Sequence, residues 1–162
     1  ETIVNATPQA VWDQLVAFHE MAPPTELAFR CGIAYPVRAT IEGRGPGAIR
    51  RCSFSTGDFV EPIEVWDEPR LLRFSVLQCP PPMIESNPFH DHVDAAHLHG
   101  FFAAKRGQFE LVQQPDGTTL LRGTTWYSHG LRPEGYWTLW SDWLLHTIHR
   151  RVLEHIRERA ER

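Results

Sequence analysis

The chain has 162 residues, of which 42% are hydrophobic, and carries a formal net charge of −4 at pH 7. This length suits a single domain spanning residues 1–162, and the apolar content argues against extensive disorder. The 16 basic residues are scattered, so we expect no nucleic-acid partner, and no apolar run is long enough for a membrane span.

The N-terminal segment predicts a short strand followed by a small helical pair. Residues 2–5 include β-branched side chains, which favour a strand. Thr7 followed by Pro8 is typical of a helix start, because a hydroxyl caps free N–H groups and proline lacks one. Apolar residues at helical spacing follow until Pro23, and a second helical turn is expected over 25–29.

From residue 36 the hydrophobic pattern changes to an alternation with a period of two residues. Short alternating runs are separated by turn-forming residues, which predicts an antiparallel meander. One connection, 43–47, holds three glycines, and another, 80–99, is rich in proline and unusually long. Long connections often serve as lids, so both are expected to gate a site. The predicted strands cover residues 37–42, 48–55, 59–66 and 71–78.

The C-terminal third predicts a hairpin followed by the longest helix of the chain. Strands over 101–114 and 118–127 flank a Pro-Asp-Gly turn, and a helix runs over 133–160. Only this helix is long enough to cover the sheet, so the fold class is α+β. The residues of its predicted apolar stripe are Trp137, Trp140, Leu144, Ile148, Val152 and Ile156.

Several segments together resemble one known superfamily. The sequences PQAVWD at 8–13 and IEVWDEP at 63–69 are similar to motifs of START-like, or SRPBCC, proteins. Segments 106–111, 123–127 and 136–151 resemble its uncharacterised polyketide cyclase/dehydrase-like branch. The resemblance implies a helix-grip fold, in which a curved antiparallel sheet wraps around a long C-terminal helix beside a small N-terminal helical pair. It also implies a deep apolar cavity, but no single reaction.

Aromatic residues on facing elements are the strongest signal for a binding site. Such residues, with a few hydroxyls, describe a cavity for a small hydrophobic or aromatic molecule in a carrier or sensor role. The same residues are also compatible with a filled core. The candidate ligand-binding residues are Phe74, Phe101, Phe109, Thr125, Tyr127, Trp137 and Trp140.

An enzyme of the same fold is the alternative interpretation. A cyclase, dehydratase or hydrolase would use His97 or His99 as acid or base, with Tyr127 as hydrogen-bond donor to a carbonyl. The histidine pairs at 90–92 and 97–99 have a spacing that metal sites also use, but no Cys or Glu lies at ligand spacing nearby, and Asp91 and Asp94 are the further candidate ligands. We therefore predict neither a metal nor an organic cofactor.

The cysteines and one tryptophan bear on location and assembly. Cys31, Cys52 and Cys79 show no paired spacing, which predicts free thiols and a cytoplasmic protein. Trp143 lies one step off the predicted helical stripe. It is compatible with the core, a helix edge or contact with a second subunit, so a homodimer remains one expected form.

Overall fold

The computed structural model describes residues 1–87, 90–93 and 102–162. Strands and helices alternate at the N-terminus, strands dominate the middle, and one long helix ends the chain. The elements are β1 (Thr2–Val4), α1 (Pro8–Val16), α2 (Leu27–Arg30), β2 (Pro36–Glu42), β3 (Ile49–Phe54), β4 (Gly57–Asp67), β5 (Leu71–Ser75), β6 (Glu85–Asn87), β7 (His90–Val93), β8 (Phe102–Gln113), β9 (Thr119–His129) and α3 (Glu134–Ala160).

Within the described part of the chain, seven strands form one antiparallel sheet in the order β1-β9-β8-β5-β4-β3-β2. Its longest pairing joins β8 to β9, from Phe102 opposite His129 to Gln113 opposite Thr119. Register irregularities interrupt the β2–β3, β4–β5 and β8–β9 pairings. Such bulges bend strands, which suits a sheet curled into a half-barrel.

Segment 80–99 differs from the loop that the sequence predicts. It contains the antiparallel pair β6–β7, and Ile33 bridges to Met83 just before it. The backbone of Gly32 accepts a hydrogen bond from Ile84 at 2.8 Å. A Cβ at Gly32 would lie 2.3 Å from the Ile84 carbonyl oxygen, so this close approach requires glycine. The prolines of this segment correctly predicted interruptions of the main sheet, but they gave no sign of the short pair β6–β7.

Helix α1 begins as its sequence predicts and ends earlier, at Val16. The Thr7 hydroxyl accepts a hydrogen bond from the Ala10 amide at 3.3 Å, and Pro8 occupies the first helical position. The helix buries Trp12, whose ring meets that of Trp66 edge-on with centroids 5.5 Å apart. Burying side chains of this size contributes about 1.5–3 kcal/mol each, which secures α1 to the sheet.

Helix α3 spans the curved sheet and contacts α1, β1 and β9. Its C-terminal half buries Val152, Leu153 and Ile156 in the core. Together with the sheet and the small helices α1 and α2, it forms the predicted α+β helix-grip fold. Among the described residues, no helix has both the length and the apolarity needed to cross a bilayer.

Candidate functional site

A ladder of hydrogen bonds joins the second half of β9 to α3 between Thr138 and His149. Thr125 Oγ1 lies 2.9 Å from His149 Nε2, and the Tyr127 hydroxyl donates to Asp142 Oδ1 at 2.6 Å. His129 Nε2 lies 3.0 Å from the hydroxyl oxygen of Thr138. The strand and helix run in opposite directions along this ladder, so each successive rung of β9 meets an earlier turn of α3.

The periodicities of the two elements explain this arrangement. Alternate residues of a strand share a face, so Thr125, Tyr127 and His129 all point towards the helix. On the helix, Thr138 and Asp142 are four residues apart, and His149 follows two turns after Asp142. All three helical residues therefore lie on the side that faces β9.

Two groups of the ladder have strongly shifted pKa values. Burial, followed by the nearby charges of His146 and the N-terminus, lowers the pKa of His149 from 6.5 to about 4. Burial and the hydrogen bond to Asp142 raise the pKa of Tyr127 to about 12. At neutral pH, His149 is therefore an uncharged imidazole and Tyr127 a protonated phenol.

An open cleft of about 790 Å³ lies along this ladder between β9 and α3. Strand β1 pairs with β9 only from Thr119 to Leu121, so the cleft opens beside the part of β9 that follows. Its lining is mixed, with hydroxyl, imidazole, charged, aliphatic and indole groups. The lining residues are Glu1, Thr2, Gly123, Thr124, Thr125, Tyr127, Asp142, Trp143, Leu145, His146, His149, Arg150, Leu153 and Glu154.

A buried ion pair lies inside the curved sheet, beyond the cleft. Arg50 on β3 is 2% exposed, and its Nη1 donates to the Glu61 carboxylate on β4, which is 6% exposed. Burial acts to lower the pKa of Arg50, but Glu61 and Cys52 together outweigh it, so the pKa is raised and the guanidinium stays charged. The rings of Phe18, Phe74 and Phe109 have centroids 5.5–5.8 Å from its Cζ.

Two glycines lie against this aromatic cage, and one of them, Gly107, makes room for it. A Cβ at Gly107 would lie 2.5 Å from the ring of Phe74, which therefore packs directly on the backbone of β8. A Cβ at Gly123 would lie 3.4 Å from the ring of Phe109. Because Gly123 also lines the cleft, Phe109 adjoins both the cleft and the Arg50 ion pair.

The structure distributes the predicted ligand-binding residues over different places. Thr125 and Tyr127 line the cleft, whereas Phe74 and Phe109 surround Arg50 in the closed interior. Trp137 donates from its indole to the Arg132 carbonyl at 3.2 Å, near the start of α3. The predicted residues Phe101, His97 and His99 lie outside the described residues.

The prediction that Trp140 belongs to the inward-facing stripe of α3 is wrong. Its side chain is 50% exposed and lies on the outer face of the helix. The rings of Tyr136, Trp140 and Trp143 follow one another there, with centroids 6.4 and 5.7 Å apart, and Leu139 lies beside them. We call these four residues the outer patch; Trp143 also lines the cleft. The stripe prediction was correct for Val152 and Ile156, which are buried.

Sequence reasoning missed Asp142, His149, Arg50 and Glu61. Counting back in helical steps from the buried Ile156 would have placed His149 and Asp142 on the inner side of α3. On β3, Arg50 alternates in phase with Cys52, and both are buried. The sequence therefore held one sign of the interior ion pair, namely a charged residue at a strand position that alternation places on the inner face of the sheet.

Fold and site together define the class: an α+β helix-grip protein with a polar cleft between its last strand and its last helix. Solved structures of similar fold include XoxI from Bacillus cereus, with 14% identity and a TM-score of 0.58 over 97% of this chain and 89% of that one. An uncharacterised protein from Bacillus thuringiensis has 14% identity and a TM-score of 0.55, covering 97% and 93%. Protein CV1439 from Chromobacterium violaceum has 13% identity and a TM-score of 0.51, covering 99% and 94%. No protein-family model and no curated protein matches the chain.

Proposed function

We propose that the protein is a START-like, or SRPBCC, domain that binds a small hydrophobic or aromatic molecule with polar substituents. The observation that carries this proposal is the cleft of about 790 Å³ between β9 and α3. Pockets for small ligands commonly occupy 300–1,000 Å³ and combine apolar walls with a few polar groups. Here Trp143, Leu145 and Leu153 supply apolar surface, and Thr125 and Tyr127 supply hydroxyls.

The ionisation of the ladder favours binding over acid–base catalysis. A general acid or base works best when its pKa lies near the working pH. The pKa of His149 is about 4 and that of Tyr127 is about 12, so neither exchanges protons readily at pH 7. Uncharged imidazole and phenol groups are instead suited to fixed hydrogen bonds that orient a ligand. A carrier or sensor role is therefore the better-supported form of the proposal.

The first experiment compares native and denatured intact mass of protein purified without a metal column. We expect an excess of a few hundred daltons that is lost on denaturation. The released molecule is then identified and titrated back into the unliganded protein by calorimetry. Incubation with that molecule also tests the enzyme alternative, because a new product that accumulates with time would indicate turnover rather than storage.

Two variants locate the binding site. Tyr127→Phe removes a hydroxyl that lines the cleft, and we expect it to weaken binding about fivefold, a loss typical of one neutral hydrogen bond. Trp140→Ser is the control, because Trp140 lies on the outer patch and does not line this cleft. If Trp140→Ser weakened binding and Tyr127→Phe did not, the ligand would bind outside the cleft and the proposal would be wrong.

A further inference from the structure

Asp142 lines the cleft, and its carboxylate takes part in no ion pair with the residues that the structure describes. Its Oδ1 accepts the hydrogen bond from Tyr127 at 2.6 Å. Among the residues that the structure describes, we find no second donor to Asp142 and no ion pair that includes it. A carboxylate offers about four acceptor positions, so Asp142, which lines the cleft, keeps acceptor capacity beyond the hydrogen bond from Tyr127.

None of the neighbouring groups that the structure describes forms an ion pair with this carboxylate. The imidazole of His149 is uncharged at neutral pH because burial lowers its pKa to about 4. Arg150 lines the cleft, but it follows Asp142 by eight residues, a rise of about 12 Å along a helix. The other helical carboxylate of the lining, Glu154, already contacts Arg157. His146 and the N-terminal ammonium lie near His149, but among the described residues neither forms an ion pair with Asp142.

We propose that the cleft selects small aromatic amines in their protonated form, a specificity that rests on the proposed binding function. The ammonium group donates to the carboxylate of Asp142, and the ring lies against Leu145 and the indole of Trp143. A charge-assisted hydrogen bond is about twice as strong as a neutral one, so the amine is preferred over the matching alcohol. A carboxylate ligand is excluded, because it would place two like charges in contact.

Three probes with the same aromatic ring and the same two-carbon chain test this selectivity. Phenethylamine, phenethyl alcohol and hydrocinnamate differ chiefly in the charge of the terminal group. Each is titrated at pH 7 into the unliganded protein, with binding followed by calorimetry. We expect phenethylamine to bind at least tenfold more tightly than phenethyl alcohol, and hydrocinnamate to bind more weakly than either.

Two variants assign the preference to one carboxylate. Asp142→Asn keeps an oxygen that accepts from Tyr127 and removes the charge, so the amine and the alcohol should then bind about equally. Glu158→Gln removes one charge from an exposed position on the same helix and should keep the tenfold preference. Circular dichroism verifies that both variants are folded.

The outcomes separate this inference from the proposed function. Equal binding of the three probes to the unsubstituted protein, or an amine preference that survives Asp142→Asn, overturns the amine selectivity and leaves the binding function standing. Absence of binding by all three probes at millimolar concentration overturns both. If Glu158→Gln lost the preference for the amine over the alcohol, that preference would depend on the overall charge of the helix. This outcome would also overturn the role of Asp142.

Discussion

The two halves of α3 use the same helical geometry for different purposes. The C-terminal half buries Val152, Leu153 and Ile156 against the sheet, α1 and β1. The N-terminal half meets β9 through hydrogen bonds, among them the one from Tyr127 to Asp142, and it leaves a cleft beside them. Its opposite side exposes the outer patch.

One half of α3 thus contributes mainly to the stability of the fold, and the other half borders the candidate binding site. Each buried aliphatic side chain of the C-terminal half contributes about 1.5–3 kcal/mol, whereas a neutral hydrogen bond contributes about 0.5–1.5 kcal/mol net. The C-terminal half therefore holds α3 in place, and the N-terminal half is attached more weakly. Regions of low local stability are where binding surfaces that must open are commonly found.

The largest expected effect lies in the closed interior that the C-terminal half covers. Glu61→Leu leaves the Arg50 guanidinium buried without its carboxylate, and we expect a loss of about 3–5 kcal/mol in the free energy of unfolding. Urea denaturation measures the loss. The double variant Arg50→Met, Glu61→Leu should recover most of it, since no charge then remains buried. A double variant as unstable as Glu61→Leu would show that the pair is required for packing rather than for charge balance.

Truncation within the anchored half comes next. Ile156 is fully buried, so Ile156→Ala should lower the free energy of unfolding by about 2–5 kcal/mol through lost burial and a residual cavity. Urea denaturation measures the loss, and an unchanged dependence of the free energy of unfolding on urea concentration shows that the change is one of stability. A cost below about 1 kcal/mol would contradict the view that this half anchors the helix.

The ladder between β9 and α3 predicts a dependence of stability on pH. The unfolded chain binds a proton at His149 near pH 6.5, while the folded protein does so only near pH 4. Between these values the unfolded state holds the extra proton, so stability falls as the pH falls, by up to about 3 kcal/mol. Well above pH 6.5 His149 is unprotonated in both states and this effect is absent.

The variant His149→Gln isolates that contribution from those of other titrating groups. Glutamine keeps a hydrogen-bonding group opposite Thr125 but takes up no proton in this range. The difference in stability between the variant and the unsubstituted protein should therefore shift in favour of the variant between pH 6.5 and 4. If the free energies of unfolding of the variant and of the unsubstituted protein changed in parallel with pH over this range, His149 would be protonated alike in the folded and unfolded states.

The smallest effect on stability is expected at the outer patch. Leu139 is 72% exposed, so Leu139→Ser should change the free energy of unfolding by no more than about 0.5 kcal/mol. Thermal or urea denaturation is sufficient to measure this. A loss comparable to that of Ile156→Ala would show that the outer patch is covered in solution and that the contrast between the two halves is wrong.

The fold could be predicted from the sequence because its signals are local and repeated. Alternation in β3, β4, β8 and β9, the cap at Thr7 and the spacing of Val152 and Ile156 each reflect neighbours within one element. Burial of Trp140 could not be judged this way, because the helical period alone does not say where the sheet ends. The outward turn of this residue is a property of the assembled molecule.

The site was predictable only in part, and for a physical reason. Thr125 and Tyr127 were found because the strand alternation places them on the helix side. Asp142 and His149 were missed because polar residues on a helix are usually solvated, and only the opposing strand gives them partners. Arg50 and Glu61 belong to different strands, and their pairing depends on strand register, which no single segment encodes.

The contact between Gly107 and Phe74 has a consequence for how related chains can diverge. Because the Phe74 ring lies where a Cβ at Gly107 would be, position 107 cannot gain a side chain while the ring remains. A lineage that gains a side chain at 107 must first, or at the same time, replace the ring at 74 with something smaller. Lineages that retain an aromatic ring at 74 should therefore be lineages that retain glycine at 107, whereas glycine at 107 is compatible with a smaller residue at 74.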